Sequence, residues 1–319
     1  MDPSGIKSLY RNSFDNTDIP LFLHTYFNNN DNELREYKPI VDKFPKVINE
    51  ELYDPFHSTS IKPFLNRDSI TLANIDAVFN FSKHTLGYIM SQETKEFAFA
   101  TIDDAPGDFT QYILFRNPNS YGYGISSNKF DNSIDQTHFN ILTGDINKNY
   151  KDFVDFVKSV EATGVNVVIG NYKQEISSYG YLIRLLTALN IISSGGDFIC
   201  KIKLDNMEDL LYITSKCFEK ITLFKPISTS AYDDIYYVIA QNANKNNLEI
   251  ISYLESRINT KKFFNELPAS FVRWLNDFSI LMHSYYKFLD QKRESNKLYD
   301  VYKCKAMWNL PLIENWLHY

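Results

Sequence analysis

The chain has 319 residues, of which 44% are hydrophobic and 15% aromatic, and it carries a formal net charge of −6. This length and composition allow a sizeable core and exclude disorder as the general state of the chain. The negative charge excludes a generally basic surface for nucleic acids, because neutralising phosphates requires clustered Lys and Arg.

Cysteine usage and hydropathy indicate the compartment. Cys200, Cys217 and Cys304 are too few and too scattered for a disulfide framework or a zinc site, which favours a reducing environment. No run approaches the roughly 20 apolar residues of a membrane span. The first residues, MDPSGIKSLYRN, lack the apolar core of a signal peptide. The sequence therefore predicts an intracellular protein with no membrane contact.

Three regions are predicted along the chain. Residues 1–62 are polar and irregular, with prolines at positions 20, 39, 45 and 55, and are predicted to be an arm that packs on another part of the protein. Residues 63–243 are predicted to form an α/β domain, which begins with an amphipathic helical pattern from Asn66 in NRDSITLANIDAVFNF. Residues 244–319 are predicted to form a helical extension.

Strand-like and helical patterns alternate within the α/β region. Seven apolar runs indicate strands, at 97–102, 121–125, 138–142, 165–170, 197–203, 220–225 and 235–240. Helical patterns separate most of them, at 109–116, 148–161, 177–193 and 206–217. This alternation predicts βαβ units and a mainly parallel sheet that binds ligands at the carboxyl ends of its strands. The last two strands are too close for a helical crossover, which predicts an antiparallel hairpin at the sheet edge.

The pattern after residue 244 is helical, over 245–258, 268–290 and 296–307. The second of these segments carries one broad apolar stripe, which is typical of a helix that faces a core. Its members are Phe271, Trp274, Leu275, Phe278, Leu281, Met282 and Tyr285.

The stretch ATIDDAPGDFTQYILF, residues 100–115, has the order strand, Pro-Gly turn, helix. This order directs backbone N–H groups and a helix N-terminus at a place where an anionic or polar ligand can bind. Only Gly107 in the turn is a glycine, and Asp103, Asp104 and Asp108 add charge and bulk. Carboxylates suit Mg²⁺ or Ca²⁺, so a metal site is one alternative. Their spacing fits no known metal loop, and capping of the helix is the stronger prediction.

Several motifs in this order resemble the FtsJ-like RNA 2'-O-ribose methyltransferase family and, within it, the mRNA cap-1 enzymes. They are DDAPGDFTQYILFR, GDINK, VNVVIGN, SSGGDFICKIK and CFEKITLFKPISTSAYDDIYYVIA. The resemblance covers about residues 65–242 and is most specific in GGDFICK and LFKP. It implies a Rossmann-like methyltransferase fold, with a seven-stranded sheet whose terminal strand is antiparallel.

The resemblance implies a Lys–Asp–Lys–Glu tetrad that deprotonates and positions a ribose hydroxyl, which is a poor nucleophile near neutral pH. Matching the motifs puts the first lysine at Thr71 and the aspartate at Asn171, so both are substituted. The second lysine is kept as Lys201. The glutamate falls at Asp234, with Asp233 as the less favoured match.

The implied cofactor is S-adenosylmethionine, which in the family lies against a glycine-rich turn after the first strand. Here the acid at the end of that strand is replaced by Thr101, and the carboxylate at position 108 is expected to intrude on the ligand. Asp145 in GDIN matches a position near the adenine in relatives. The sequence thus predicts a vestigial cofactor pocket, formed by Ala105, Pro106, Gly107, Asp108 and Asp145.

Other chemistry-bearing residues have ordinary structural explanations. Lys203 shares a strand face with Lys201 and is predicted to be solvated. His84 and His138 have no acid or nucleophile at triad-like spacing and are predicted to be structural. Trp308 and Trp316 are predicted to pack on the domain, with stacking on a cap base or RNA as the alternative.

The resulting prediction is a degenerate 2'-O-methyltransferase fold that acts as a non-catalytic binding or stimulatory subunit in mRNA capping. The helical tail is also similar to the small subunit of poxvirus-type capping enzymes. That likeness implies a larger capping-enzyme chain as the protein partner, capped RNA as a further ligand, and the cytoplasm, in a viral factory or virion of a cytoplasmic DNA virus, as the location.

Two alternatives remain open at the sequence level. The first is an active cap-1 enzyme with Lys201 as the base and Asp234 supporting it, which requires Lys83 or Lys173 to replace the missing lysine. The second is an RNA-binding module with neither partner nor chemistry, which the net charge of −6 disfavours.

Overall fold

The computed structural model describes residues 24–27, 33–36, 64–82, 97–172, 176–229 and 233–291, together with Cys304, Lys305, Trp308 and Leu310. Several predictions fall outside these residues. They concern most of the arm over 1–62, most of the helix at 296–307, and Lys83, His84, Lys173 and Trp316.

The described part of the chain contains a large sheet and a small one. The large sheet comprises β1 (His24–Phe27), β3 (Ala98–Ile102), β4 (Tyr121–Ser126), β5 (Phe139–Thr143), β6 (Val165–Gly170), β7 (Ile192–Ile202), β8 (Phe218–Phe224) and β9 (Tyr236–Ala243). Its spatial order is β1-β8-β9-β7-β6-β3-β4-β5. The small sheet pairs β2 (Leu34–Arg35) with β10 (Leu267–Pro268).

Helices connect most of the strands. They are α1 (Arg67–Phe79), α2 (Asp108–Arg116), α3 (Ile146–Val160), α4 (Ser178–Ile191), α5 (Glu208–Cys217), α6 (Leu248–Ser256) and α7 (Ala269–Gln291). None of these helices, within the described ranges, is long and apolar enough to cross a membrane.

The architecture is the predicted α/β methyltransferase-like fold. Strands β3 to β7 run parallel, whereas β9 is antiparallel to both of its neighbours. All seven predicted strands are present. Six of them differ from the prediction by at most three residues at either end, whereas β7 begins five residues earlier than predicted, at Ile192. The hairpin differs from the prediction, because β9 is inserted between β7 and β8 rather than lying at the sheet edge. The two hairpin strands are therefore both interior.

The edge position is taken instead by β1, from the N-terminal region that the sequence predicts to be irregular. β1 pairs antiparallel with β8, in the register His24↔Phe224 to Phe27↔Ile221. A four-residue run has little strand signal of its own, so its conformation depends on the partner edge. Phe27 anchors it, with its ring centroid 5.0 Å from that of Phe271 and 5.7 Å from that of Trp274 in α7.

Side chains of the central strands alternate between two buried clusters. Ile199 and Ile239 lie with apolar residues of α1 and α2, and this side of the sheet is called the α1–α2 face. Phe198 and Val238 lie with residues of α3 to α7, which is called the α3–α4 face. Period-two burial on both sides is what a sheet covered by two helical layers requires.

Polar side chains fix the starts of the helices that frame the candidate site. The side chain of Asn66 accepts a hydrogen bond from Arg67 N at the start of α1, and Asn80 in the left-handed region (φ 50°) ends that helix. Ser177 Oγ accepts a hydrogen bond from Gly180 N at 3.1 Å at the start of α4. These are the residue types favoured at helix ends.

The C-terminal segments are core elements. The stripe of α7 is buried as predicted, apart from Leu281, which is half-buried. Trp308 is 0% exposed and packs against the α1–α2 face, and its carbonyl accepts a hydrogen bond from the Arg116 guanidinium at 2.5 Å. The predicted packing of Trp308 is therefore confirmed, and stacking of this ring on RNA is excluded by its burial.

Candidate functional site

The candidate site lies where β3, β6 and β7 end, beneath the first turn of α1. Parallel strands bring their carboxyl ends to one edge, and the strand order changes direction at β3, so the fold provides a ligand crevice here. Asn171 follows β6, and Lys201 is the penultimate residue of β7.

Lys201 is held by a carboxylate that the sequence prediction missed. Its Nζ lies 4.0 Å from Asp68 Oδ1, with the lysine side chain 16% and the aspartate side chain 28% exposed. The Asn171 amide donates a hydrogen bond of 3.3 Å to Asp68 Oδ2. Asp68 stands in the first turn of α1, so a carboxylate from this helix joins two of the predicted site positions.

Thr71, the predicted place of the first lysine, faces the loop after β8. It is 1% exposed, and its Oγ1 accepts a hydrogen bond of 3.1 Å from Ser228 Oγ. One turn further along α1, Asn74 Oδ1 accepts from Ile227 N at 3.1 Å. The Thr71 side chain thus helps to hold α1 against this loop.

Asp234 lies on the surface, just before β9, and its neighbour Asp233 is also exposed. The carboxylate within 4.0 Å of the Lys201 amine, among the described residues, is that of Asp68. The same segment is held by Lys225, whose Nζ donates to the carbonyl oxygens of Asp233 at 2.6 Å and Ile235 at 3.1 Å. Burial lowers the pKa of Lys225 to about 7, against the opposing effect of Asp233 and Asp234.

Tyr237 is a second site residue that the sequence prediction missed. It is the cross-strand partner of Lys201 and belongs to the α1–α2 face. Its hydroxyl is buried and makes no hydrogen bond within the described residues. Burial is the largest cause that raises the pKa of Tyr237 well above its usual value, and the nearby Asp68, Cys200 and Asp104 act in the same direction. The only available signal was the tyrosine's position in the motif after LFKP.

The turn after β3 is built by its aspartates. The Asp104 carboxylate accepts hydrogen bonds from Phe109 N at 2.9 Å, Thr110 N at 2.8 Å and Thr110 Oγ1 at 2.7 Å. The capping prediction is therefore confirmed for Asp104. Burial raises the pKa of Asp104 to about 7, although these three hydrogen bonds act in the opposite direction.

The remaining turn residues leave little space. Gly107 has φ 117°, and a Cβ there would lie 3.0 Å from Ile134 Cδ1 and 3.2 Å from Phe130 Cδ1. Asp108 is fully buried, and its carbonyl accepts a hydrogen bond of 2.7 Å from Ser69 Oγ. The turn is thus packed against α1 and against the loop that carries Phe130 and Ile134.

The other predicted cofactor positions differ in exposure. Ala105 is buried, whereas Pro106 is exposed. Asp145 caps α3 by accepting from Asn147 N at 3.0 Å, and its side chain is 39% exposed. No three His, Cys, Asp or Glu side chains cluster as a metal site anywhere in the described ranges.

The residues at this turn do not fit S-adenosylmethionine. Asp103 is ion-paired with Arg184, Asp104 is used by α2, and Asp108 is buried inside the turn. The carboxylates of Asp103 and Asp104, which a ribose or an ammonium group could bond, are thus engaged within the protein.

Comparison with known proteins identifies relatives of this region. Residues 64–243, more than half of the chain, match the model of the FtsJ-like methyltransferase family. The chain is similar to cap-specific mRNA (nucleoside-2'-O-)-methyltransferase 1 of Drosophila melanogaster, at 24% identity over 64% of this chain and 30% of that protein. It is also similar to the human protein of the same name, at 27% identity over 60% of this chain and 27% of that protein. The matched region spans less than a third of these relatives.

Solved structures overlap with the chain in part. A ribosomal RNA methyltransferase from Plasmodium falciparum covers 57% of this chain and 99% of its own, at 17% identity and a TM-score of 0.43. Human methyltransferase-like protein 13 in complex with SAH covers 63% and 96%, at 12% identity and a TM-score of 0.40. The family match agrees with the resemblance carried by the motifs: the chain belongs to the FtsJ-like methyltransferase family.

Proposed function

We propose that this chain is a non-catalytic member of its family and acts as a binding or stimulatory subunit in mRNA capping. One observation carries the proposal. At the two substituted tetrad positions, Thr71 is buried and bonded to Ser228, and Asn171 is an amide that donates to Asp68. Neither side chain can accept a proton from a ribose hydroxyl in this arrangement.

The chemistry of the remaining groups supports the loss of activity. Transfer of a methyl group to a hydroxyl requires removal of the hydroxyl proton, and each positioned acid–base group typically contributes a factor of about 10² to 10⁴. Lys201 keeps its position, but its ammonium is paired with Asp68. Asp234 is exposed and outside that pair. The proton-handling set is therefore incomplete.

A role in capping is supported by the names of the relatives, which are cap-specific mRNA methyltransferases. The partner in this proposal is the larger chain of an mRNA capping enzyme, and capped RNA is a further ligand. The buried free thiols of Cys200 and Cys217 support a reducing location. The proposed location of the complex is the cytoplasm, and the capping machinery of this proposal is of the viral type.

Co-expression tests the subunit role. The full chain is expressed with a larger chain that has guanylyltransferase and guanine-N7 methyltransferase activities, and the complex is purified through a tag on one chain. The proposal predicts stable co-purification and a higher N7-methylation rate than that of the larger chain alone. An unchanged rate for a stable complex would contradict a stimulatory role, and no association would contradict the subunit role.

A second candidate is an active cap-1 ribose 2'-O-methyltransferase, and Asp68 is the observation that favours it. The carboxylate absent from position 171 is supplied from α1, so Lys201 still has an acidic partner. This candidate predicts methyl transfer to capped RNA by the wild-type chain. It also predicts a loss of about 100-fold or more in Asp68→Asn and Lys201→Ala.

A further inference from the structure

A buried arginine fills the crevice between the ends of β3 and β6. Arg184 lies in α4, is 2% exposed, and reaches past the end of β6 toward the turn after β3. Asn171, which follows β6, donates its backbone N–H to the carbonyl of Ile102, the last residue of β3, at 2.8 Å, and Asp103 follows directly after that residue. The guanidinium therefore lies where the fold normally receives a ligand.

The guanidinium is bonded to two acceptors at the sheet edge and to one in its own helix. Arg184 Nε donates to the Asn171 carbonyl at 2.8 Å, and Nη1 donates to the Gly180 carbonyl at 2.9 Å. Nη2 donates to the carboxylate of Asp103. The guanidinium carbon lies 3.8 Å from the centre of the Tyr172 ring, within the range of a cation–π contact.

Two glycines, Gly170 and Gly180, lie close to the Arg184 side chain. A Cβ at Gly170 would lie 3.2 Å from Arg184 Cδ, and a Cβ at Gly180 would lie 3.3 Å from its Nη1. The nearest atoms at these two positions are Cys200 Sγ at 2.8 Å and Tyr172 Cε1 at 3.0 Å, so a larger residue at either position would crowd the arginine together with one of these neighbours. Asp103 adopts φ 55°, a left-handed conformation that its pairing with Arg184 helps to hold.

We propose that Arg184 is an internal substitute for a ligand, and that its pairing with Asp103 closes the crevice to S-adenosylmethionine. The hydroxyls of a nucleoside and the ammonium of an amino acid both need acceptor oxygens. Two such acceptors at this edge, the Asp103 carboxylate and the Asn171 carbonyl, are already bonded to Arg184. The sulfonium of the cofactor would also meet a fixed positive charge. This inference rests on the proposed non-catalytic function and explains why the chain would not bind the cofactor of its family.

The test is titration of the full chain with S-adenosylhomocysteine and with S-adenosylmethionine by calorimetry. The double variant Arg184→Gln with Asp103→Asn removes both charges together, so it leaves no unpaired buried charge. The wild type is expected to show no saturation up to about 1 mM, and the folded double variant is expected to bind at least about tenfold more tightly. Equal or tighter binding by the wild type would overturn the proposal.

Arg116→Gln is the matched control, because Arg116 is also a buried arginine beside an aspartate, with its Nε 3.8 Å from Asp76 Oδ2 at the far end of α2. This variant is expected to bind no better than the wild type. A similar gain in Arg116→Gln would show general loosening and would overturn the proposal. If the double variant does not fold, the wild-type titration decides, since saturation at micromolar ligand contradicts a closed crevice.

These outcomes are separable from failure of the proposed function. Wild-type binding without methyl transfer would overturn the closure and leave the non-catalytic function standing. Wild-type methyl transfer would overturn both.

Discussion

The buried carboxyl group of Asp104 is expected to make the folded protein less stable as the pH rises, which is the opposite of the usual effect of an aspartate. Burial raises the pKa of Asp104 from 3.8 to about 7 in the folded protein. A raised pKa means that folding favours the protonated form, so this group stabilises the fold at low pH and the contribution is lost as pH rises through about 7. Asp104→Asn, a neutral residue of the same shape, should remove this dependence.

The magnitude follows from the two pKa values. Each pH unit between 3.8 and about 7 changes the free energy of unfolding by about 1.4 kcal/mol, or about 4 kcal/mol over the whole range. Between pH 5 and pH 8 the wild type should lose roughly 2–3 kcal/mol relative to Asp104→Asn. Urea unfolding of both proteins across this range measures the difference.

Thr110→Val serves as the control, because it removes one hydrogen bond to Asp104 and keeps the carboxyl group. The Thr110 hydroxyl lowers the pKa of Asp104, so this variant should retain the pH dependence. A difference between wild type and Asp104→Asn that is constant from pH 5 to pH 8 would refute the reasoning, because Asp104 would then not be a buried titrating group.

Three further perturbations have defined outcomes. Lys225→Met should remove a contribution of opposite sign, because the pKa of Lys225 is lowered from 10.5 to about 7. In urea unfolding the wild type should gain roughly 2–3 kcal/mol relative to the variant as the pH rises from 7.5 to 9.5. Asp76→Ala should cost about 3–5 kcal/mol, because it removes a buried carboxylate that pairs with Arg116 and accepts hydrogen bonds from Ser82 and Tyr112; a loss below 1 kcal/mol in urea unfolding would contradict this. Phe27→Ala should cost about 3–5 kcal/mol by removing the aromatic anchor of β1, and unchanged thermal unfolding would show that β1 adds nothing.

The periodicity of apolar residues and the spacing of the apolar runs were sufficient to predict most of the fold. Strands such as Val165–Gly170 are apolar apart from single residues such as Asn166, which is the pattern of a sheet covered on both sides. The insertion of β9 between β7 and β8 was not predictable in this way. The short spacing predicts that the two strands are antiparallel, but it does not show which of them pairs with the rest of the sheet. The strand at His24–Phe27 was missed because tertiary pairing determines it.

The motifs located the candidate site, and the structure gives its contacts. Lys201 and Asn171 were found from sequence, and both lie at the carboxyl edge of the sheet. Asp68 was missed because a charged residue in the first turn of a helix is usually explained by capping preference. Arg184 was missed because its position in an apolar helix gives no indication of the acceptors it meets. Its pairing with Asp103 joins residues that are 81 positions apart in the sequence.

Single-turnover transfer of labelled methyl from S-adenosylmethionine to capped RNA, with the purified wild-type chain in excess over RNA, tests the non-catalytic assignment most directly. We predict no label on the ribose 2'-oxygen of the first transcribed nucleotide above a protein-free blank. Label at that oxygen, formed at a rate that falls by about 100-fold or more in Lys201→Ala, would contradict the account.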